Sequence, residues 1–225
     1  MAYVLLALCA VIGYLLGSLS ASVIISKLFF RGDVRSQGSG NAGATNMARV
    51  YGLKGGLIVL LFDFLKEVIS MALGLYIGSL IITMSSSTAY DGFDIYCMVA
   101  AGGGCLLGHA FPLYFGFKGG KGISVGAALA LMIDWRILLI ILAVFIIVFI
   151  LSKIVSVSSI SAAAAFVVCS LVFYFVGFIT LPEMLLGTIG PVIVIWLHRQ
   201  NIVRIIKGEE KKFTYKKGKE EKKHR

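Results

Sequence analysis

Charge is what this chain has least of. Of its 225 residues only 14% are charged, while 59% are hydrophobic. Ordinary soluble domains carry roughly 25% charged residues. With a mean hydropathy of +0.95, the composition excludes a soluble globular domain. It equally excludes a disordered chain, which needs low hydrophobicity and high charge. Acid is scarcer than base: 11 Asp/Glu stand against 21 Lys/Arg, a net charge of +10. Base is also segregated, with 11 Lys/Arg in residues 199–225 and 10 in the preceding 198. An apolar body with a basic tail describes a polytopic membrane protein. A pI near 9.5 therefore points to an anionic membrane surface and not to nucleic acid. There are four cysteines: Cys9, Cys97, Cys105 and Cys169. Cys9 and Cys169 lie in apolar runs with no CxxC spacing and no nearby His, so neither a disulfide framework nor a metal site is indicated.

The apolar runs predict spans at Tyr3–Phe30, Leu65–Met84, Ile95–Phe115, Gly122–Ile133, Ile137–Ser152, Ser156–Ile179 and Glu183–Leu197. A span takes about 20 apolar residues, with a range of roughly 17–25, so the fourth is short. Charge argues for keeping it. With seven spans, loops 31–55 and 116–121, the turn at Lys153 and the C-terminal tail share one side. Together with Lys27 that side holds 19 of the 21 Lys/Arg. Arg136 alone lies opposite, beside Asp91, Asp94, Asp134 and Glu183, and Lys66 starts the second span. The positive-inside rule then places the N-terminus outside and the tail in the cytoplasm. Asp63 and Lys66, at i,i+3, can pair on one helix face. They are either functional charges at membrane depth or snorkelling charges at a helix start.

The informative residues sit in the cytoplasmic loops. Gly38-Ser39-Gly40-Asn41-Ala42-Gly43-Ala44-Thr45-Asn46, followed by Arg49, is small and polar and holds no acid. Glycines let backbone N–H groups approach a ligand, and successive N–H groups form an anion nest. Ser39, Asn41, Thr45 and Asn46 add side-chain donors, and Arg49 can grip two phosphate oxygens at once. The second loop, His109-Ala110-Phe111-Pro112 then Phe117-Lys118-Gly119-Gly120-Lys121-Gly122, repeats the recipe and runs into a helix at Ile123, whose N-terminus also suits an anion. It is not a Walker A loop, because Gly122 stands where Ser or Thr must follow the lysine. His198-Arg199-Gln200-Asn201, Arg204 and Gly208-Glu209-Glu210 close the last span, with His198 and Asn201 on one helix face. The Val155–Ser159 turn adds a polar patch on the same side. Phosphate chemistry beside an apolar body suggests a phosphorylated headgroup meeting an acyl chain at the inner leaflet. The five aspartates (33, 63, 91, 94 and 134) form neither the DGxxAR…GxxxDxxxD pattern of CDP-alcohol phosphotransferases nor the HxxxxD motif of common glycerolipid acyltransferases.

GSGNAGATN with Arg49, HAFPLYFGFKGGKG, and HRQNIVR with Gly208 and Glu210 resemble the bacterial acyl-phosphate:glycerol-3-phosphate acyltransferases of the PlsY type. The resemblance runs from about Tyr3 to Glu210. Ala42 stands where proline is common and Ser158 where glycine is common. It implies a seven-helix membrane domain over residues 1–210 with N-terminus outside, followed by a basic cytoplasmic tail at 211–225. It places the protein in the bacterial cytoplasmic membrane with the site on the cytoplasmic face. The implied reaction moves a fatty acyl group from acyl phosphate to the sn-1 hydroxyl of glycerol 3-phosphate, giving lysophosphatidate and phosphate. The enzyme that makes acyl phosphate is a candidate partner. An acyl phosphate is a mixed anhydride, so no metal or cofactor is called for. By resemblance, Ser39, Arg49, His198 and Asn201 lie nearest the reacting groups. Gly38, Gly40, Asn41, Thr45, Asn46, Lys118, Gly119, Gly120 and Lys121 hold phosphates. The hydroxyl proton goes to His198 or to a substrate phosphate, with acylation of Ser39 ranked third. A solute transporter would want polar residues at mid-membrane, and an adaptor would leave the glycine loops without a purpose.

Overall fold

A computed structural model describes residues 2–85 and 91–213, and among them the chain is entirely helical. The helices are α1 (Ala2–Gly17), α2 (Ala21–Phe30), α3 (Ala44–Tyr51), α4 (Leu53–Ser85), α5 (Phe93–Ala110), α6 (Ile123–Ile133), α7 (Trp135–Ser152), α8 (Val155–Phe175), α9 (Leu181–Leu197) and α10 (Arg199–Ile206). Among the described residues four stretches are long and apolar enough to cross a membrane: Ala2–Phe30, Phe93–Phe115, Trp135–Ser152 and Val155–Phe175. Helix α9 is followed by α10 at a 57° bend, and the pair counts as a fifth if it is one span. Helix α4 has 33 residues, and its part from 68 to 85 carries no charge. Most of the basic tail expected at 211–225, and part of the 85–94 loop, lie outside the described residues.

The first expected span is broken. Helix α1 stops at Gly17 and α2 starts at Ala21. Within a bilayer every freed carbonyl needs a donor, and Lys66 of α4 supplies it, donating to Gly17 O and Leu19 O at 3.0 Å each. The α1–α5 contact is the tightest in the bundle. Gly13 and Gly17 of α1 lie against the Ala101 and Cys105 carbonyls of α5, and Gly104 and Gly108 of α5 against the Ala10 and Tyr14 carbonyls of α1, so a Cβ on any of the four would collide with the facing helix. Small residues at four-residue spacing let helix backbones touch in this way.

The core gathers around α6. Val125, Ala128, Leu129 and Ala130 of α6 are buried, and Met71, Leu106, Phe166, Leu186 and Val194 pack around it. With eleven residues, α6 is an internal helix that opens at one end of the bundle. Helix α7 instead exposes Leu139, Ile146, Ile147, Ile150 and Leu151, as a lipid-facing helix does. At its start Asp134 caps the helix by accepting the Arg136 N–H, and the Arg136 guanidinium lies over the Phe178 ring at 4.0 Å. All four cysteines are free thiols.

Candidate functional site

The first glycine loop is held open from beneath by Asn46. Its Oδ1 accepts the Ser39 N–H at 2.8 Å, while its Nδ2 donates to Val34 O and Gln37 O at 3.0 Å each. Gly38 has φ +62°, and any Cβ there would meet Asn46 Oδ1, so glycine is required. The second loop folds back over the end of α5. Gly119 and Gly120 donate their N–H groups to Ala110 O and His109 O at 3.2 and 3.1 Å. Arg35 ties the two loops together, donating to Phe115 O at 2.6 Å and to Lys118 O at 3.4 Å. Its bond to Asp33 holds that carboxyl below the ordinary range.

These loops wall a cavity of about 520 Å³. Three helix N-termini reach it: Gly43–Thr45 of α3, Gly122–Ser124 of α6, and Val155–Ser156 of α8. The unsatisfied N–H groups of a helix's first turn and its dipole favour an anion there. Arg49, Lys121, Arg204 and Lys211 add cations to the lining, and Leu60, Ile123, Phe145 and Phe213 add an apolar part. Among the described residues Arg49 makes no hydrogen bond or ion pair, so its fork is open to a ligand.

Of the sequence-predicted residues, Gly38, Ser39, Asn41, Thr45, Asn46, Arg49, Lys121, His198 and Asn201 all line this cavity. Gly40 and Lys118 line a separate depression with Asp33, Arg35 and Phe115. Gly119 and Gly120 line neither, and their amides are spent on α5.

A polar network crosses the far wall. Lys121 Nζ donates to Asn201 Oδ1 at 2.5 Å, and Asn201 Nδ2 donates to Glu210 Oε1 at 2.7 Å. Ser156 Oγ donates to the same Oε1 at 2.8 Å, and Arg204 Nε donates to Oε2 at 2.6 Å. Burial raises the Glu210 carboxyl, but these donors outweigh it, and the group ends below its ordinary value. Lys121 is pushed down to about 8, by burial first and then by Arg204, against the opposing pull of Glu210. His198 sits at the bend after α9, 3% exposed, and burial pushes it down to about 4. Its Nδ1 lies 2.8 Å from Val194 O. A carbonyl only accepts, so Nδ1 carries the proton and Nε2 keeps a lone pair.

The sequence reading singled out Glu210, His109 and Asp63 without giving them a place in the site. All three line the cavity, with Glu210 the hub of the polar network. The i,i+3 spacing of Asp63 and Lys66 was the available signal for Asp63, and the two do meet, at 2.8 Å.

Fold and cavity together define a helical integral membrane protein with a cavity lined by helix N-termini and cationic side chains. Residues 7–208 match the family model for glycerol-3-phosphate acyltransferase. The chain is 36% identical over 219 residues to the glycerol-3-phosphate acyltransferase of Finegoldia magna, covering 94% of this chain and 98% of that one. It is 36% identical over 204 residues to glycerol-3-phosphate acyltransferase 2 of Bacillus anthracis, covering 91% and 97%. The crystal structure of PlsY (YgiH), an integral membrane glycerol 3-phosphate acyltransferase in its glycerol 3-phosphate form, superposes with a TM-score of 0.77. That match has 31% identity and covers 93% of this chain and 96% of that one. The lysophosphatidic acid form gives a TM-score of 0.74 at 30% identity, covering 93% and 95%. The chain belongs to the glycerol-3-phosphate acyltransferase family of the PlsY type.

Proposed function

We propose that this protein transfers a fatty acyl group from acyl phosphate to the sn-1 hydroxyl of glycerol 3-phosphate, giving lysophosphatidate and inorganic phosphate for phospholipid synthesis. The observation that carries the reading is the cavity where three helix N-termini, Arg49 and Lys121 converge beside an apolar wall. Two phosphates must share one site, and their repulsion must be offset by positive charge and oriented amides. The Ser39–Thr45 loop, Arg49 and Lys121 do that. Holding the reactants in line is worth up to about 7–11 kcal/mol. The hydroxyl oxygen attacks the acyl carbonyl carbon, the carbonyl oxygen takes up negative charge, and the carbon–oxygen bond to phosphate breaks. Ser39, Arg49 and Asn201 face the oxyanion and the departing phosphate, where one donor is worth about 3–4 kcal/mol.

His198 is neutral, and its Nε2 lone pair accepts the hydrogen bond of the attacking hydroxyl. A base held down to about 4 is weaker than a phosphate with its second pKa near 6. The proton therefore passes to the departing phosphate. Gly40 and Lys118, in their separate depression, act on anions approaching the mouth, and Gly119 and Gly120 set the path of the loop that carries Lys121.

Seven spans fit the reading, with α1 and α2 as one broken span, α6 as a short internal one, and the tail in the cytoplasm. The site then lies on the cytoplasmic face of the bacterial inner membrane, where an enzyme making acyl phosphate can deliver its product. A reporter fused after Arg225 should read cytoplasmic, and one in the 85–94 loop external. The deciding experiment uses purified protein in detergent with labelled glycerol 3-phosphate. Lysophosphatidate should form with acyl phosphate alone, and a strict requirement for acyl-CoA or acyl carrier protein would reject the donor assignment.

A further inference from the structure

The chain does not leave the site at Glu210. Three residues on, the Phe213 N–H donates to Lys153 O at 2.8 Å, in the turn between α7 and α8. Glu210 itself is held by Ser156 of α8 and by Asn201 and Arg204 of α10. The segment is therefore pinned twice beside that turn. The Phe213 ring meets Phe149 of α7 edge to face, with centroids 6.2 Å apart. Phe149 in turn stacks on Phe145, one turn earlier in α7, also at 6.2 Å. Phe145 and Phe213 both line the cavity. The match to the family model ends at residue 208, and among the described residues beyond it Phe213 is the one apolar group in the lining.

We infer that Phe213 is a specificity residue for the acyl chain, its ring extending the apolar wall that the chain lies against as it leaves the phosphate end. The inference rests on the acyltransferase reading. The glycine loop, Arg49 and Lys121 suit phosphates and offer an alkyl chain nothing. The chain must take the apolar part of the lining, which is Leu60 of α4, Ile123 of α6, Phe145 of α7 and Phe213. Leu60 is 46% exposed, and next to Phe145 the helix exposes Ile146 and Ile147. This part of the wall thus adjoins the lipid-facing surface, the side from which a chain held in a bilayer arrives. A ring whose backbone is already pinned loses little freedom when the chain meets it, and covering its face removes apolar area from water. A ring that only fastened the tail would be spent on Phe149, whereas Phe213 also faces the cavity.

The test varies the donor and the ring together. Values of kcat/KM are measured at one detergent concentration for straight-chain acyl phosphates of increasing length, from butanoyl to hexadecanoyl, with glycerol 3-phosphate saturating. The proteins are wild type, Phe213→Leu and Phe213→Ala, which keep the backbone bond to Lys153. The shortest donor that wild type turns over is the reference for each protein. Relative to it, Phe213→Ala should lose about tenfold on hexadecanoyl phosphate, with Phe213→Leu in between because part of the apolar surface remains. Each preference is a ratio within one preparation, so partial misfolding cancels, and Phe213→Leu serves alone if the alanine variant does not fold. A chain-length profile unchanged from wild type, with or without a uniform loss of activity, would reduce Phe213 to a fastener of the tail and overturn the inference while leaving the acyltransferase reading intact. A wild-type protein inactive on every acyl phosphate would overturn both.

Discussion

The Lys121 ammonium donates to Asn201 Oδ1 at 2.5 Å, joining residues 80 positions apart. It thereby ties the second glycine loop to α10 across the cavity. Burial and the charge of Arg204 hold Lys121 down to about 8. The residue is a cation below that pH and neutral above it, so a phosphate grip is lost as pH rises. Since kcat/KM reports the free enzyme, its profile for glycerol 3-phosphate should show an alkaline limb near pH 8. A guanidinium does not titrate in this range, so Lys121→Arg should move that limb above about pH 10. A limb that stays put in the arginine variant belongs to another group.

Glu210 collects donors from three directions: Ser156, Asn201 and Arg204. Glu210→Gln keeps one acceptor oxygen but loses the ion pair that anchors the segment, and Asn201 loses its fixed orientation. A loss of about tenfold to a hundredfold in kcat/KM is expected, near 1.4–2.7 kcal/mol. Arg204→Ala should follow it in the same direction, because both reach Asn201 through Glu210. Wild-type kinetics in both variants would show that Asn201 keeps its place without them.

The glycine loops were legible because their composition has few uses. A run of Gly, Ser, Asn and Thr beside Arg49 cannot form a core and lies between spans. What each amide does was not legible. Gly119 and Gly120 look like nest residues, yet their N–H groups close α5. Lys118 and Gly40 look like site residues, yet the Arg35 bonds to Phe115 O and Lys118 O leave them in another depression. The break after Gly17 was hidden for a similar reason. Serine is tolerated in membrane helices, and the group that rescues the freed carbonyls, Lys66, lies 49 positions from Gly17. Glu210 stood in a recognised motif, but its role as a hub needs Ser156 of α8 and Asn201 of α10 brought to one carboxylate.

The α1–α5 seam gives a stability prediction with an internal control. Alanine is preferred to glycine inside a helix by roughly 0.5–1 kcal/mol when its methyl has room. At Gly103 a Cβ would meet Leu186 Cδ1 at 3.6 Å, an ordinary contact, so Gly103→Ala should be neutral or mildly stabilising. At Gly104 the same methyl would strike the Ala10 carbonyl, and the helices must part. Overpacking costs about 1–3 kcal/mol, so Gly104→Ala should lower the unfolding midpoint in detergent by several degrees or more. Equal midpoints in the two variants would mean that the α1–α5 seam has room for a methyl group at Gly104.

Arg49 tests whether the first loop holds substrate or drives transfer. It stands in the last turn of α3, lines the cavity, and offers its fork to no other side chain among the described residues. A lysine in its place keeps the charge but presents one point where the guanidinium presents two parallel donors. If Arg49 grips ground-state phosphate alone, Arg49→Lys should raise KM for one substrate and spare kcat. If it meets charge that develops as the acyl–phosphate bond breaks, kcat and kcat/KM should fall together. The second outcome is expected, because the Ser39 and Thr45 groups beside it already supply ground-state contacts. The fall should be about tenfold to a hundredfold, near 1.4–2.7 kcal/mol, and Arg49→Ala should lose more. Single-turnover measurements with saturating substrates separate the two cases, since a pure binding defect disappears at saturation. Wild-type rates in both variants would remove Arg49 from the site, and with it most of the phosphate reading of the loop.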